Sequence, residues 1–114
     1  MLGTDIREIL AAEEETQRHQ DAVETLLSRR KKLLRESLGE RIRRAHNHGE
    51  WIHLSHEECA ALHEREKHHV KSQVDQLRHE QDRTRGELAF IRRIKARAKR
   101  IRAAEVASAR TRLC

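Results

Sequence analysis

The chain contains no proline in its 114 residues. Proline lacks a backbone donor and clashes with the preceding helical turn, so its absence permits very long helices. Charged residues make up 39% of the chain and aromatic residues 2%. This composition suits a narrow interface between helices better than a thick globular core, although disorder has a similar signature. Only the periodicity of the apolar residues can decide between the two.

Apolar residues recur at steps of three and four along most of the chain, which is typical of left-handed coiled-coil helices. The predicted apolar stripe consists of Leu2, Ile6, Ile9, Val23, Leu27, Leu34, Leu38, Ile42 and Ala45, and later of Leu62, Val70, Val74, Leu77, Thr84, Leu88, Ile91, Ala98 and Ile101. Six polar residues interrupt it: Glu13, Thr16, Gln20, Arg30, Glu66 and Gln81. Polar residues in such a stripe weaken packing and help to fix the register.

Capping signals predict where the helices begin and end. Ser55 and Glu58 form a capping box, and Thr4 can cap an earlier helix. Gly49 tolerates the left-handed conformation that ends a helix. We therefore predict an all-α fold, a long two-helix antiparallel coiled-coil hairpin. It forms a single domain over residues 1–114, with helix one at about 5–47, the tip at 48–55 and helix two at about 56–110.

The charge distribution favours the antiparallel arrangement. Residues 1–24 carry a net charge of −5 and residues 29–44 carry +6, whereas residues 45–90 carry −3 and residues 91–114 carry +8. Folding back at the tip brings acidic segments beside basic ones, whereas a parallel dimer stacks like charges together. We expect the basic block 29–44 to lie beside glutamates of the second helix, namely Glu57, Glu58, Glu64 and Glu66.

The strongest candidate binding surface is the basic segment of the second helix. Its charges recur every one or two residues, so some must point away from the first helix toward an anionic partner. The partner-binding residues that we predict there are Arg92, Arg93, Lys95, Arg97, Lys99, Arg100 and Arg102. A nucleic acid is possible, but the segment lacks the interleaved aromatic residues on which single strands stack. Trp51 at the tip is a further candidate contact, or it fastens the linker onto the helix ends.

Metal binding and catalysis find less support. His56, Cys59 and His63 share one helical face with His53 nearby, but three ligands on a straight helix fit a zinc tetrahedron poorly. We therefore predict no metal ion and no cofactor. The sequence has no glycine-rich phosphate loop and no nucleophile motif, and a two-helix rod offers no deep pocket. We predict that the protein is not an enzyme.

The tip sequence Gly49-Glu50-Trp51-Ile52-His53-Leu54 resembles the FliJ and YscO-like stalk proteins of bacterial type III export, as do the residues into which it leads in the second helix, namely Glu57, Leu62, Val70, Val74 and Leu77. The charged stretch Arg83–Arg102 is similar in character. The resemblance implies a stalk that inserts its helix termini into the export ATPase hexamer and contacts the export gate. It also implies that the basic end meets the ATPase ring, while Trp51 points away from it.

The expected compartment is the cytoplasm. No apolar run approaches the roughly 18–20 residues that span a bilayer, the N-terminus has no signal peptide pattern, and Cys59 and Cys114 are too far apart to pair within a hairpin. Two other functions stay open: a basic coiled-coil module for nucleic acid, and a phage-type scaffold or inhibitor. The oligomeric state also stays open.

Overall fold

The fold is helical throughout the described part of the chain, residues 5–113 of a computed structural model, with no strand among them. The all-α prediction is thus confirmed. Three helices follow one another: α1 (Ile6–Leu34), α2 (Leu38–Asn47) and α3 (His56–Leu113). The predictions for Leu2, Thr4 and Cys114 fall outside the described residues.

The prediction of one continuous helix over residues 5–47 was wrong, because a short break separates α1 from α2. Ser37 starts α2 anew: its backbone is extended and its Oγ accepts a hydrogen bond from the Glu40 backbone N–H at 3.1 Å. Just before this cap, the Glu36 carboxylate accepts two hydrogen bonds from the Arg44 guanidinium, both at 2.9 Å. A side-chain cap and a two-pronged ion pair together favour a new helix start over a continued turn.

Both predicted boundaries of the tip are confirmed. Gly49 takes a positive φ of 72°, and the Glu50 N–H donates to the Ala45 carbonyl at 2.7 Å, as in a Schellman helix ending. At the start of α3, Ser55 Oγ accepts from the Glu58 N–H while the Glu58 carboxylate accepts from the Ser55 N–H, both at 3.2 Å. This reciprocal pair is the predicted capping box.

The described chain packs into two compact units. One unit joins residues up to Ala22 with those from Gln81 onward, and the other comprises Val23–Glu80. The core of the Val23–Glu80 unit is a cluster of buried aliphatic side chains with further ones packed against it: Leu27, Val70 and Val74, then Leu33, Leu34 and Leu77. In the unit formed by the ends, Ile9, Thr84 and Leu88 are buried.

The predicted stripe is largely confirmed. Its buried members are Ile9, Val23, Leu27, Ala45, Val70, Val74, Thr84 and Leu88, and all six interrupting polar residues are half-buried. Ile101 is the exception: it is 50% exposed, so its assignment to the stripe was wrong. All residues from 101 to 112 of α3 are exposed.

Candidate partner-binding surface

Two of the predicted partner-binding cations pair with one carboxylate of α1. Glu13 of α1 accepts a hydrogen bond from Lys95 Nζ at 2.7 Å and a longer one from Arg92 Nε at 3.4 Å. Arg92 Nη2 also donates to Gln17 Oε1 at 3.0 Å. The hydrogen bond from Lys95, followed by the charges of Lys95 and Arg92, lowers the pKa of the Glu13 carboxyl. Arg92 and Lys95 thus link α1 to α3.

The other predicted cations of α3 point into solvent. Arg97, Lys99, Arg100 and Arg102 are exposed and pair with no carboxylate of the described chain. Arg93 lies 6.0 Å from the ring centre of Phe90, which is itself more than half exposed. These guanidinium and ammonium groups therefore keep their full capacity to bind an anionic group.

A shallow groove of about 550 Å³ adjoins these cations, where the start of α1 meets the end part of α3. Lys99, Arg102 and Arg110 contribute its positive charge. Its remaining lining is aliphatic: Ile6, Ala103, Val106 and Ala107. Small side chains and a positive rim let a partner approach the backbone closely, so the surface suits a protein contact as well as a purely electrostatic one.

Trp51, the other predicted contact residue, packs within its own unit. The Arg41 guanidinium carbon lies 3.9 Å from the centre of its ring, the geometry of a cation–π contact. Trp51 has a φ of 61°, a left-handed conformation that costs a bulky residue about 1–2 kcal/mol. The stacked guanidinium helps to offset that cost and fastens the tip to α2.

Arg41 also links α2 to α3. It is only 5% exposed, and its Nε and Nη2 donate to the two carboxylate oxygens of Glu66 at 2.7 and 2.8 Å. These hydrogen bonds lower the pKa of the Glu66 carboxyl and raise that of the Arg41 guanidinium. In the same way the hydrogen bonds from Arg44 lower the pKa of Glu36. Each pKa shift reflects stabilisation of the charged form by its ion-pair partner.

The histidine and cysteine residues of early α3 lie in different environments. Cys59 and His63 are buried and Cys59 is a free thiol, whereas His56 is exposed. Within residues 5–113, no three His, Cys, Asp or Glu side chains are grouped in a way that could hold a metal ion.

Sequence reasoning missed the exposed positive charge of the block 29–44. Of the α3 glutamates expected beside this block, Glu66 forms an ion pair with it, whereas Glu57, Glu58 and Glu64 form none. Because α2 starts afresh, the two paired cations of the block meet Glu36, Glu50 and Glu66. Six cations remain unpaired within the described residues: Arg29, Arg30, Lys31, Lys32, Arg35 and Arg43.

Comparison with known proteins adds no further constraint, since no protein family, curated protein or solved structure matches this chain. None of the helices described above is both long and apolar enough to cross a membrane.

Proposed function

We propose that the protein is a non-enzymatic stalk or adaptor, an antiparallel coiled-coil hairpin of a bacterial type III export apparatus, acting in the cytoplasm. The observation that carries the proposal is the exposed, unpaired basic segment of α3 from Arg97 to Arg112. A long helical element that ends in unneutralised cations suits a part that inserts into an oppositely charged partner.

Contacts within each unit support the antiparallel arrangement. In one unit, Glu13 pairs with Lys95 while Gln17, further along α1, pairs with Arg92, which comes earlier in α3. In the other unit Leu27 packs with Val74, whereas Arg41 pairs with Glu66. In both units, later residues of the first half meet earlier residues of α3, which is the order that a hairpin requires.

The export ATPase hexamer is the proposed partner of the basic end, and the export gate is the second partner. The groove described above is lined by arginine, lysine and aliphatic side chains. Such surfaces suit protein binding, whereas catalysis needs an enclosed site that excludes water. The stacking of Trp51 on Arg41 supports a tip that keeps its shape while the other end docks.

A pull-down with the export ATPase of the source organism tests the proposal. We expect the variant with Arg97, Lys99, Arg100 and Arg102 changed to Glu to lose binding by at least about tenfold, since it reverses four exposed charges. The matched control changes Arg43, Arg65, Lys71 and Arg78 to Glu, an equal change of net charge on exposed, unpaired residues elsewhere in the described chain. The control should retain binding.

Two results would contradict the stalk function. One is wild-type protein that does not bind the ATPase, and the other is equal loss of binding in both variants, which indicates unspecific charge attraction. Tight binding of duplex DNA at about 50 mM salt, falling steeply as salt rises, would instead favour the nucleic-acid module.

A further inference from the structure

A second groove, of about 480 Å³, lies where α1 gives way to α2. It belongs entirely to the Val23–Glu80 unit and is separate from the basic segment of α3. Its lining residues come from both sides of the break at Ser37. The residues that line the groove are Leu26, Arg29, Arg30, Lys32, Leu33, Glu36, Glu40 and Arg44.

Most of the cations that line this groove form no ion pair within the described residues. Of its four cations, only Arg44 is engaged, by the Glu36 carboxylate at 2.9 Å. Arg29, Arg30 and Lys32 pair with no carboxylate anywhere in residues 5–113. Only one further acidic side chain, that of Glu40, lines the groove. Three free cations converging on one concavity favour an anionic occupant.

The floor of the groove is apolar and fixed in place. Leu26 is 45% exposed, so its side chain is available to a ligand in the groove. Leu33 is half-buried and packs against the core cluster of Leu27, Val70 and Val74, so it cannot turn away from the groove without loss of packing. A ligand that covers Leu26 and Leu33 would gain hydrophobic free energy in addition to its ionic contacts.

We propose that this groove binds an acidic peptide segment of a partner protein, one that carries a bulky aliphatic side chain between its carboxylates. The carboxylates would pair with Arg29, Arg30 and Lys32, and the aliphatic side chain would rest on Leu26 and Leu33. A nucleic acid would use the cations but leave the exposed leucine uncovered, and so it fits the groove less well. The proposal does not depend on the export-stalk function, because it concerns other residues.

Fluorescence anisotropy on the full chain tests the proposal with two labelled synthetic peptides. In the first peptide a central leucine is flanked on both sides by glutamates, and in the second a serine replaces that leucine. We expect Leu26→Ser to weaken binding of the leucine peptide roughly fivefold, as removal of one partly buried aliphatic contact should. Binding of the serine peptide should not change.

Charge reversal supplies the second arm of the experiment. Arg29→Glu combined with Lys32→Glu should weaken the binding of both peptides by about tenfold or more. The matched control, Lys71→Glu with Arg78→Glu in α3, alters the net charge equally on exposed residues outside both grooves and should leave groove binding within about twofold, the scale of screened long-range charge. Circular dichroism verifies that each variant keeps its helices, which is expected because Leu26, Arg29 and Lys32 are exposed.

Three outcomes would overturn the proposal. One is a Leu26→Ser variant that binds both peptides as tightly as the wild type does. Another is an equal loss of peptide affinity in the two charge-reversal variants. Both would reduce the effect to diffuse attraction between opposite charges. The third is a duplex DNA that displaces the leucine peptide and binds Leu26→Ser as tightly as wild type, which would assign the cations to nucleic acid.

Discussion

Arg41 makes more distinct interactions than its exposed neighbours in the basic block. Its guanidinium forms two hydrogen bonds to Glu66, stacks on Trp51, and lies 3.9 Å from the Glu50 carboxylate. Its Nη1 is buried without a hydrogen-bond partner. Only a planar, delocalised cation can donate in a fork and stack on an indole at the same time. The side chain therefore joins α2, the tip and α3.

Substitution of Arg41 by lysine is expected to destabilise the protein although it conserves charge. An ammonium group cannot reproduce the forked hydrogen bonds or the stacking, so we expect a loss of about 1–3 kcal/mol in the free energy of unfolding. Urea denaturation followed by far-UV circular dichroism measures the loss. The control is Arg43→Lys, which alters an exposed residue without an ion pair and should stay within about 0.5 kcal/mol of wild type. Equal stabilities of the two variants would contradict this role of Arg41.

At the scale of the elements, α2 depends on its surroundings. It has only 10 residues, and isolated helices of that length are marginal in water. The cap at Ser37, the ion pairs of Arg41 and Arg44, and the left-handed Gly49 hold its two ends. The helix is therefore sensitive to changes at its boundaries.

The glycines at the two ends of α2 should respond to alanine in opposite directions. At Gly39 an added Cβ meets nothing closer than Ser37 Oγ at 4.0 Å, so Gly39→Ala should stabilise by about 0.5 kcal/mol through the entropy of the unfolded chain. At Gly49 the φ of 72° disfavours a side chain, so Gly49→Ala should destabilise by about 1–2 kcal/mol.

Thermal unfolding of both glycine variants measures the difference. Gly86→Ala serves as the reference, because this glycine lies inside α3 with open space around it and should gain stability as Gly39 does. A Gly49→Ala variant as stable as wild type would show that the end of α2 needs no left-handed residue.

The helix boundaries show how far sequence alone can predict the elements. Gly49 and the Ser55–Glu58 capping box predicted the tip because both act through neighbouring backbone. The break at Ser37 was missed although Ser37 and Glu40 have the same spacing as that box. The apolar residues Leu34, Leu38 and Ile42 keep helical steps across the break, so periodicity masked it. The ion pair of Glu36 with Arg44 arises from the fold and has no sequence signature.

At the scale of the whole molecule, the formal net charge is +6, and only some of the cations form ion pairs within the described residues. The sequence correctly indicated that the acidic start of the chain contacts the basic part of α3, as the pairing of Glu13 with Lys95 shows. The sequence could not indicate which of the cations would form these ion pairs. Lys95 and Arg92 are engaged, while Arg97 to Arg112 and the groove cations are free within the described residues. The candidate site was thus predictable as a segment but not residue by residue.

Zero-length cross-linking tests the proposed antiparallel hairpin as a whole. A carbodiimide should join the Glu13 carboxylate to Lys95 Nζ as an amide with net loss of water, because the two groups lie 2.7 Å apart. We expect this cross-link in the monomer band of a denaturing gel, identified by mass spectrometry. The control variant Lys95→Arg keeps the charge but cannot form the amide. If the Glu13–Lys95 link occurred only in a dimer band, the pairing would be between chains and the hairpin would be wrong.

The position of Trp51 gives the protein an intrinsic optical probe. It is the only tryptophan in the chain, and its indole is stacked on the Arg41 guanidinium. Its emission therefore originates at a single known point, and separation of the two side chains changes the surroundings of that point alone. A partner that remodels the tip will shift the emission, whereas one that binds the far part of α3 and leaves the tip intact will not. Unlabelled protein can thus report where a partner binds.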